Sequence, residues 1–125
     1  MNEIVKISDS ELVLMRIIWR NGGIALFAEI IDALEQRKAG WKSNTVLTLL
    51  SRLVDKGFLS ISKIGRRNEY RTLISEAEYR TAKTKEFVDK IYKGNVKQFI
   101  CTLQGLMSAE EQEELKKLLK VNGSG

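Results

Sequence analysis

Asn44, Thr45, Thr48 and Arg52 bring an amide, two hydroxyls and a guanidinium to one short stretch of chain. Spaced three and four residues apart along a helix, such side chains share a face. An amide can bond an adenine edge with two hydrogen bonds, and threonine methyls can touch thymine, so the set suits reading base edges in a major groove. Arg66 and Arg67 follow Gly65, and guanidiniums at a turn suit phosphate oxygens. Trp41, Lys42 and Ser43 lead into the stretch and complete the candidate surface. Between residues 41 and 71, Lys42, Arg52, Lys56, Lys63, Arg66, Arg67 and Arg71 stand against Asp55 and Glu69, a net charge that equals the formal +5 of the whole chain. Positive charge gathered in this way is the footprint of a phosphate-binding face, with an affinity that falls steeply as salt rises.

The same inventory leaves little room for catalysis. With no His and Cys101 as the lone cysteine, neither the usual zinc sets nor a Ser-His or Cys-His nucleophile can be assembled. The paired carboxylates Glu76/Glu78, Glu110/Glu111 and Glu113/Glu114 fall at helix starts or on solvated faces. No enzyme activity, metal or cofactor is expected. No apolar run approaches the ~20 residues of a membrane helix, so no membrane partner is expected. One cysteine and an N-terminus without a signal-peptide core point to the reducing cytoplasm.

The elements that must hold these side chains can be placed by periodicity. Val46, Leu49, Leu50, Leu53 and Val54 recur at helical spacing behind the polar face, with Ser43 placed to cap the helix and Lys56-Gly57 to end it. Phe58, Leu59, Ile61 and Ile64 read as a strand, Gly65-Arg66-Arg67-Asn68 as a turn, and Glu69 to Leu73 as the return strand. Ahead of them, residues 1–7 form a loose lead. Ser8 and Glu11 make a capping box for a helix that buries Leu12, Met15, Ile18 and Trp19. Ile24 to Leu26 suits a short strand pairing with the wing, and Phe27 to Lys38 a second helix. Trp41 admits two positions, against the sugar–phosphate backbone or plugged between helices. Leu47 is expected to pack on the second helix, a thymine methyl being the other contact open to it.

Beyond Leu73 the pattern turns wholly helical. A helix over 76–93, a second from Val96, and a third opened by a Ser108/Glu111 box expose more apolar surface than so short a segment can bury by itself. Phe87, Ile91, Val96, Phe99, Ile100, Leu103, Leu106 and Leu118 are therefore expected to meet a second copy, in a homodimer whose two wing modules read a palindrome. Folding back over the N-terminal domain is the other way to cover them. Ser75 and Glu78 are expected to form only an imperfect box. Cys101, among Phe99, Ile100 and Leu103, is expected to be a buried, inert thiol, with a redox sensor at the dimer seam as the sharper alternative. The fold class is mainly α with a small antiparallel β wing: a winged helix-turn-helix DNA-binding domain at 1–74, a helical dimerisation domain at 75–121 and a flexible tail at 122–125.

Read in order, Ile7-Ser8-Asp9, Glu11, Trp19, Glu29-Ile30, Thr45-Val46, Thr48-Leu49, Arg52-Leu53, Lys56-Gly57, Gly65-Arg66, Tyr70, Ile74-Ser75-Glu76 and Glu78-Tyr79 resemble the penicillinase-repressor family over nearly the whole chain. The resemblance implies a dimeric winged-helix repressor of antibiotic-resistance genes, seated on double-stranded operator DNA with an inverted repeat of the TACA/TGTA type. It places Asn44, Thr45, Thr48 and Arg52 in the major groove and Arg66 near the backbone, with Asn44 standing where a lysine is common. It also implies a sensor protease as a partner, since relatives under β-lactam receptors are cut between Asn and Phe. Here the matching register holds Thr102-Leu103, and no Asn-Phe pair occurs in the chain. Copper-responsive members end in paired Cys-x-Cys motifs, which Cys101 alone cannot supply. The alternatives are a copper-branch repressor that has lost its metal site and a winged-helix adaptor that binds protein instead of DNA.

Overall fold

The Ser8 hydroxyl accepts the Glu11 N–H at 3.1 Å, and the Glu11 carboxylate accepts the Ser8 N–H at 2.7 Å. This reciprocal box opens α1 (Asp9–Arg20), the first element of the structure, a computed structural model that describes residues 4–123. β1 (Ile24–Leu26), α2 (Phe27–Gln36), α3 (Ser43–Asp55), β2 (Leu59–Ile64) and β3 (Arg67–Thr72) follow, then α4 (Glu76–Ile91), α5 (Val96–Leu106) and α6 (Ala109–Gly123). The chain is mainly α with one small antiparallel sheet in the order β1-β3-β2. The short first strand pairs with the wing as its sequence suggests, with Ala25 opposite Tyr70.

The chain divides into two compact units, which meet between Lys83 and Thr84. In the first, Leu14, Met15 and Ile18 of α1 close on Ile30 of α2, Val46, Leu50 and Leu53 of α3, and Leu59 of β2, all at most 1% exposed. Trp19 is partly buried at the edge of this core, its indole N–H donating to the Ile74 carbonyl at 2.9 Å and its ring 5.6 Å from that of Tyr79. Ile4 and Ile7 also pack against the core, so the described part of the N-terminal lead is attached and not loose. The divide lies inside α4 and not at 74/75, because Tyr79 in its early turns belongs to the first core.

Several local expectations give way to the observed geometry. The first α3 hydrogen bond runs from Val46 N–H to the Lys42 carbonyl, so Lys42 is the cap residue and Ser43 the first helical one, with no side-chain cap bond. Ile64 pairs with Arg67, which shortens the turn to Gly65-Arg66 and extends the return strand to begin at Arg67. Ser75 and Glu78 form a complete box, at 2.8 and 3.0 Å. α6 continues through Gly123, so Asn122 and Gly123 extend the helix; residues 124–125 lie outside the described residues.

The second unit closes differently. Phe87, Tyr92 and Phe99 meet edge to face at 5.5–6.2 Å between ring centres. Asn95 caps α5 by accepting the Gln98 N–H at 3.0 Å, and the expected Ser108/Glu111 box opens α6. α5 buries none of its residues.

Candidate nucleic-acid interface

Burial of Val46, Leu49, Leu50 and Leu53 fixes the rotation of α3 and turns its other side to solvent. Asn44, Thr45, Thr48, Ser51 and Arg52 are all exposed there, so the candidate reading residues share one outward surface. Leu47 stands among them at 39% exposure, a correction to the expected packing on α2, since it lies off the buried stripe. The Thr48 hydroxyl donates to the Asn44 carbonyl at 3.0 Å. That bond uses its proton and leaves Thr48 an acceptor lone pair and a methyl for any partner. Lys42 and Ser43 are exposed at the helix start, whereas Trp41 is partly buried against the hydrophobic core, the plugged position of the two.

The wing presents Arg66 and Arg67 exposed at its tip. Gly65 there has φ +65° with open space around it, while Arg66 is not among the positive-φ residues. A glycine in the first loop position with a left-handed φ is the arrangement of a type II′ hairpin, whose twist matches the flanking strands. At the base of the wing Tyr70 is buried, and that burial pushes its phenol pKa up, with the Asn68 side chain pulling weakly the other way. A cleft of about 440 Å³ lies between Leu26, Phe27 and Ala28, where β1 runs into α2, and Arg66, Arg67 and Asn68 of the wing. Sequence reading passed over this α2 start. The pairing of β1 with the wing is the signal that places it there.

Lys56 departs from its neighbours. Its ammonium turns inward and meets the Glu11 carboxylate at 2.7 Å, so it does not add to the outward charge of the stretch. Lys42, Arg52, Lys63, Arg66, Arg67 and Arg71 remain on the surface. Glu69, opposing them, lies 3.9 Å from Arg71.

In the second unit, Phe87, Ile91, Val96, Ile100, Leu103, Leu106 and Leu118 are exposed, and Phe99 is partly buried in the aromatic cluster. Cys101 is exposed as well, where a buried thiol was expected, because none of the described elements of this unit closes over that part of α5.

A family model described as penicillinase repressor matches residues 7–121. Over 122 residues the chain is 33% identical to the penicillinase repressor of Bacillus licheniformis, an overlap of 96% of this chain and 94% of that one. Over 120 residues it is 31% identical to the methicillin resistance regulatory protein MecI of Staphylococcus aureus, covering 94% and 96% of the two chains. Among solved structures, the DNA-binding domain of the repressor BlaI is similar with a TM-score of 0.54 and 37% identity, over 63% of this chain and 94% of that chain. The Bacillus licheniformis BlaI monomeric form in complex with the blaP half-operator is similar with a TM-score of 0.52, at the same identity and coverage. The first unit is thus a winged helix, the relatives are repressors and not enzymes, and the chain belongs to the penicillinase repressor family.

Proposed function

We propose that this protein is a sequence-specific transcriptional repressor that sits as a homodimer on an inverted-repeat operator. The observation that carries this function is the outward face of α3, with Asn44, Thr45, Thr48 and Arg52 exposed together on a winged-helix framework similar to one solved on half-operator DNA. In the major groove, Asn44 is suited to bond an adenine edge, and Thr45 and Thr48 to touch thymine methyls or accept from an exocyclic amine. Arg66 and Arg67 at the wing tip, with Lys42 and Ser43 at the helix start, contact phosphates and set the register without reading sequence. Trp41 supports the start of α3 from the core side, presenting only its exposed edge.

The exposed apolar residues from the end of α4 through α6 are what a second copy covers, through Phe87, Ile91, Val96, Ile100, Leu103, Leu106 and Leu118, with the half-buried Phe99 beside them. Isologous pairing of two such tails places two reading helices on a two-fold axis, which is the symmetry of an inverted repeat.

Electrophoretic mobility of a duplex enriched from a random-sequence pool tests this. The expected result is a retarded complex containing two chains, whose affinity drops steeply between low and physiological salt. Replacing Arg66 and Arg67 together by Ala should weaken binding to all duplexes alike and reduce the salt slope by about four, two contacts from each chain of the dimer. No retardation of any duplex at micromolar protein would point instead to a winged-helix adaptor for another protein.

A further inference from the structure

We propose that the Glu11–Lys56 ion pair, its carboxylate buried and its ammonium half-buried, is the positioning device of α3, fixing the end of the reading helix against α1 without itself touching DNA. This rests on the DNA-binding function proposed above and names residues outside the reading face that control its specificity.

Glu11 is 1% exposed, an unusual place for a carboxylate. One oxygen accepts from the Ser8 N–H and from Lys56 Nζ, both at 2.7 Å; the other oxygen is buried with no hydrogen-bond partner. Lys56 is the C-cap residue of α3, and its side chain spans from the end of that helix to the start of α1. Among the described residues this is the only side-chain hydrogen bond joining α3 or its caps to another element. The start of α3 has no side-chain cap, and the Thr48 hydroxyl bonds within its own helix.

Besides the backbone bonds that lead out of its end, such as that from the Phe58 N–H to the Leu53 carbonyl at 2.9 Å, α3 is held by apolar packing through Val46, Leu49, Leu50 and Leu53. Such packing is non-directional and leaves the choice of contacting atoms open. A charge-assisted bond at 2.7 Å does not. Energetics also argue against a purely stabilising role. Removing a carboxylate from water offsets most of what its ion pair returns, so neutral replacement of both partners is often tolerated by the fold. The pair instead ties a defined point on α3 to a defined point on α1, and through that the outward residues keep one register in the groove. The burial that raises the Glu11 pKa is outweighed by the bonds to Lys56 and Ser8, which keep the carboxylate ionised and the tie intact at neutral pH.

The decisive variant is the double replacement Glu11→Gln with Lys56→Met, which removes both charges and retains an acceptor for the Ser8 N–H. Thermal unfolding, affinity for the duplex selected by the wild type and affinity for a scrambled duplex of equal length are measured together. The expected result is a folded dimer whose affinity for the selected duplex falls by about tenfold, the equivalent of one misread base pair, while scrambled-duplex affinity and its salt slope are unchanged. Lys56→Arg, which keeps the charge and the reach, should restore most of the preference. Unchanged preference in the folded double variant would overturn the proposal. So would an equal loss on both duplexes with a salt slope reduced by about two, one from each chain, which would make Lys56 a phosphate contact. Should the double variant not fold, the same duplex comparison is made with Glu11→Gln alone, where a loss confined to the selected duplex supports the proposal and an unchanged preference overturns it. If the wild type itself prefers no duplex, it is the DNA-reading function that fails, and that outcome is distinct from these.

Discussion

The two units of this chain are built from similar amphipathic helices and end in opposite states of closure. In the first, Leu14, Met15, Ile18, Ile30, Leu50 and Leu53 are fully removed from solvent or nearly so. In the second, Ile91, Val96, Leu106 and Leu118 stand between 56% and 78% exposed, although α5 is an amphipathic helix as α2 is. An apolar stripe predicts that something covers it and does not say what. The sheet and three helices of the winged domain supply each other with cover from several directions. The tail closes over little more than its aromatic trio and Val88, and the remaining apolar surface is worth about 25 cal/mol per Å² to any partner that buries it.

The largest effect should come from charging that uncovered face. Ile100→Asp or Leu103→Asp buries an unpaired carboxylate if two copies meet there, at a cost of about 3–5 kcal/mol. Sedimentation should then show a monomer; a profile matching the wild type would remove α5 from the contact. The mirror experiment lies in the closed unit. Leu50→Ala leaves a cavity at a fully buried site and should destabilise the fold by about 2–5 kcal/mol, read by urea unfolding. That loss should not depend on protein concentration, whereas the loss from Leu106→Ala should. A concentration dependence shared by both would mean that the winged domain is not closed on its own.

Smaller effects sharpen the picture of the reading surface. Asn44→Ala and Thr48→Ala, both exposed, should leave the unfolding midpoint almost unmoved and change discrimination by about 1–3 kcal/mol per well-read base pair. Base preferences unchanged in both variants would place the reading face elsewhere. The smallest effect concerns acid. Glu11 in the folded chain ionises below its usual value, because its hydrogen bonds to Lys56 and Ser8 outweigh its burial. The unfolded chain therefore takes up this proton first as pH falls. The contribution to stability is complete above the ordinary carboxylate range and is lost as pH drops through the lowered value. Unfolding midpoints in acid should fall less steeply for Glu11→Gln than for the wild type; parallel curves would show that Glu11 does not titrate with folding.

How far the sequence could be read follows the same division. α1, α2, α3 and the wing were legible because their stripes, boxes and turn residues are local and all agree. The polar face of α3 was legible for the same reason: once Val46, Leu49, Leu50 and Leu53 point inward, Asn44 and Thr48 have nowhere else to go. What escaped was long-range. Lys56 looked like one more surface cation because its partner lies 45 residues away. Ser43 looked like a cap because the sequence does not reveal which carbonyl the first helical N–H will choose. Cys101 looked buried because its neighbours are apolar, yet apolar neighbours on an uncovered helix protect nothing.

The two-residue tip of the wing has a thermodynamic consequence. A hairpin closed by Gly65-Arg66, with Arg67 already in the ladder, has few conformations to lose. In the proposed complex its guanidiniums would meet phosphates from a stiff mount, so the entropy given up on docking would be confined to side-chain rotamers, without backbone ordering. Calorimetry of complex formation should accordingly show a heat-capacity change of the size set by the contact area alone, without the surplus that a loop folding onto its target would add.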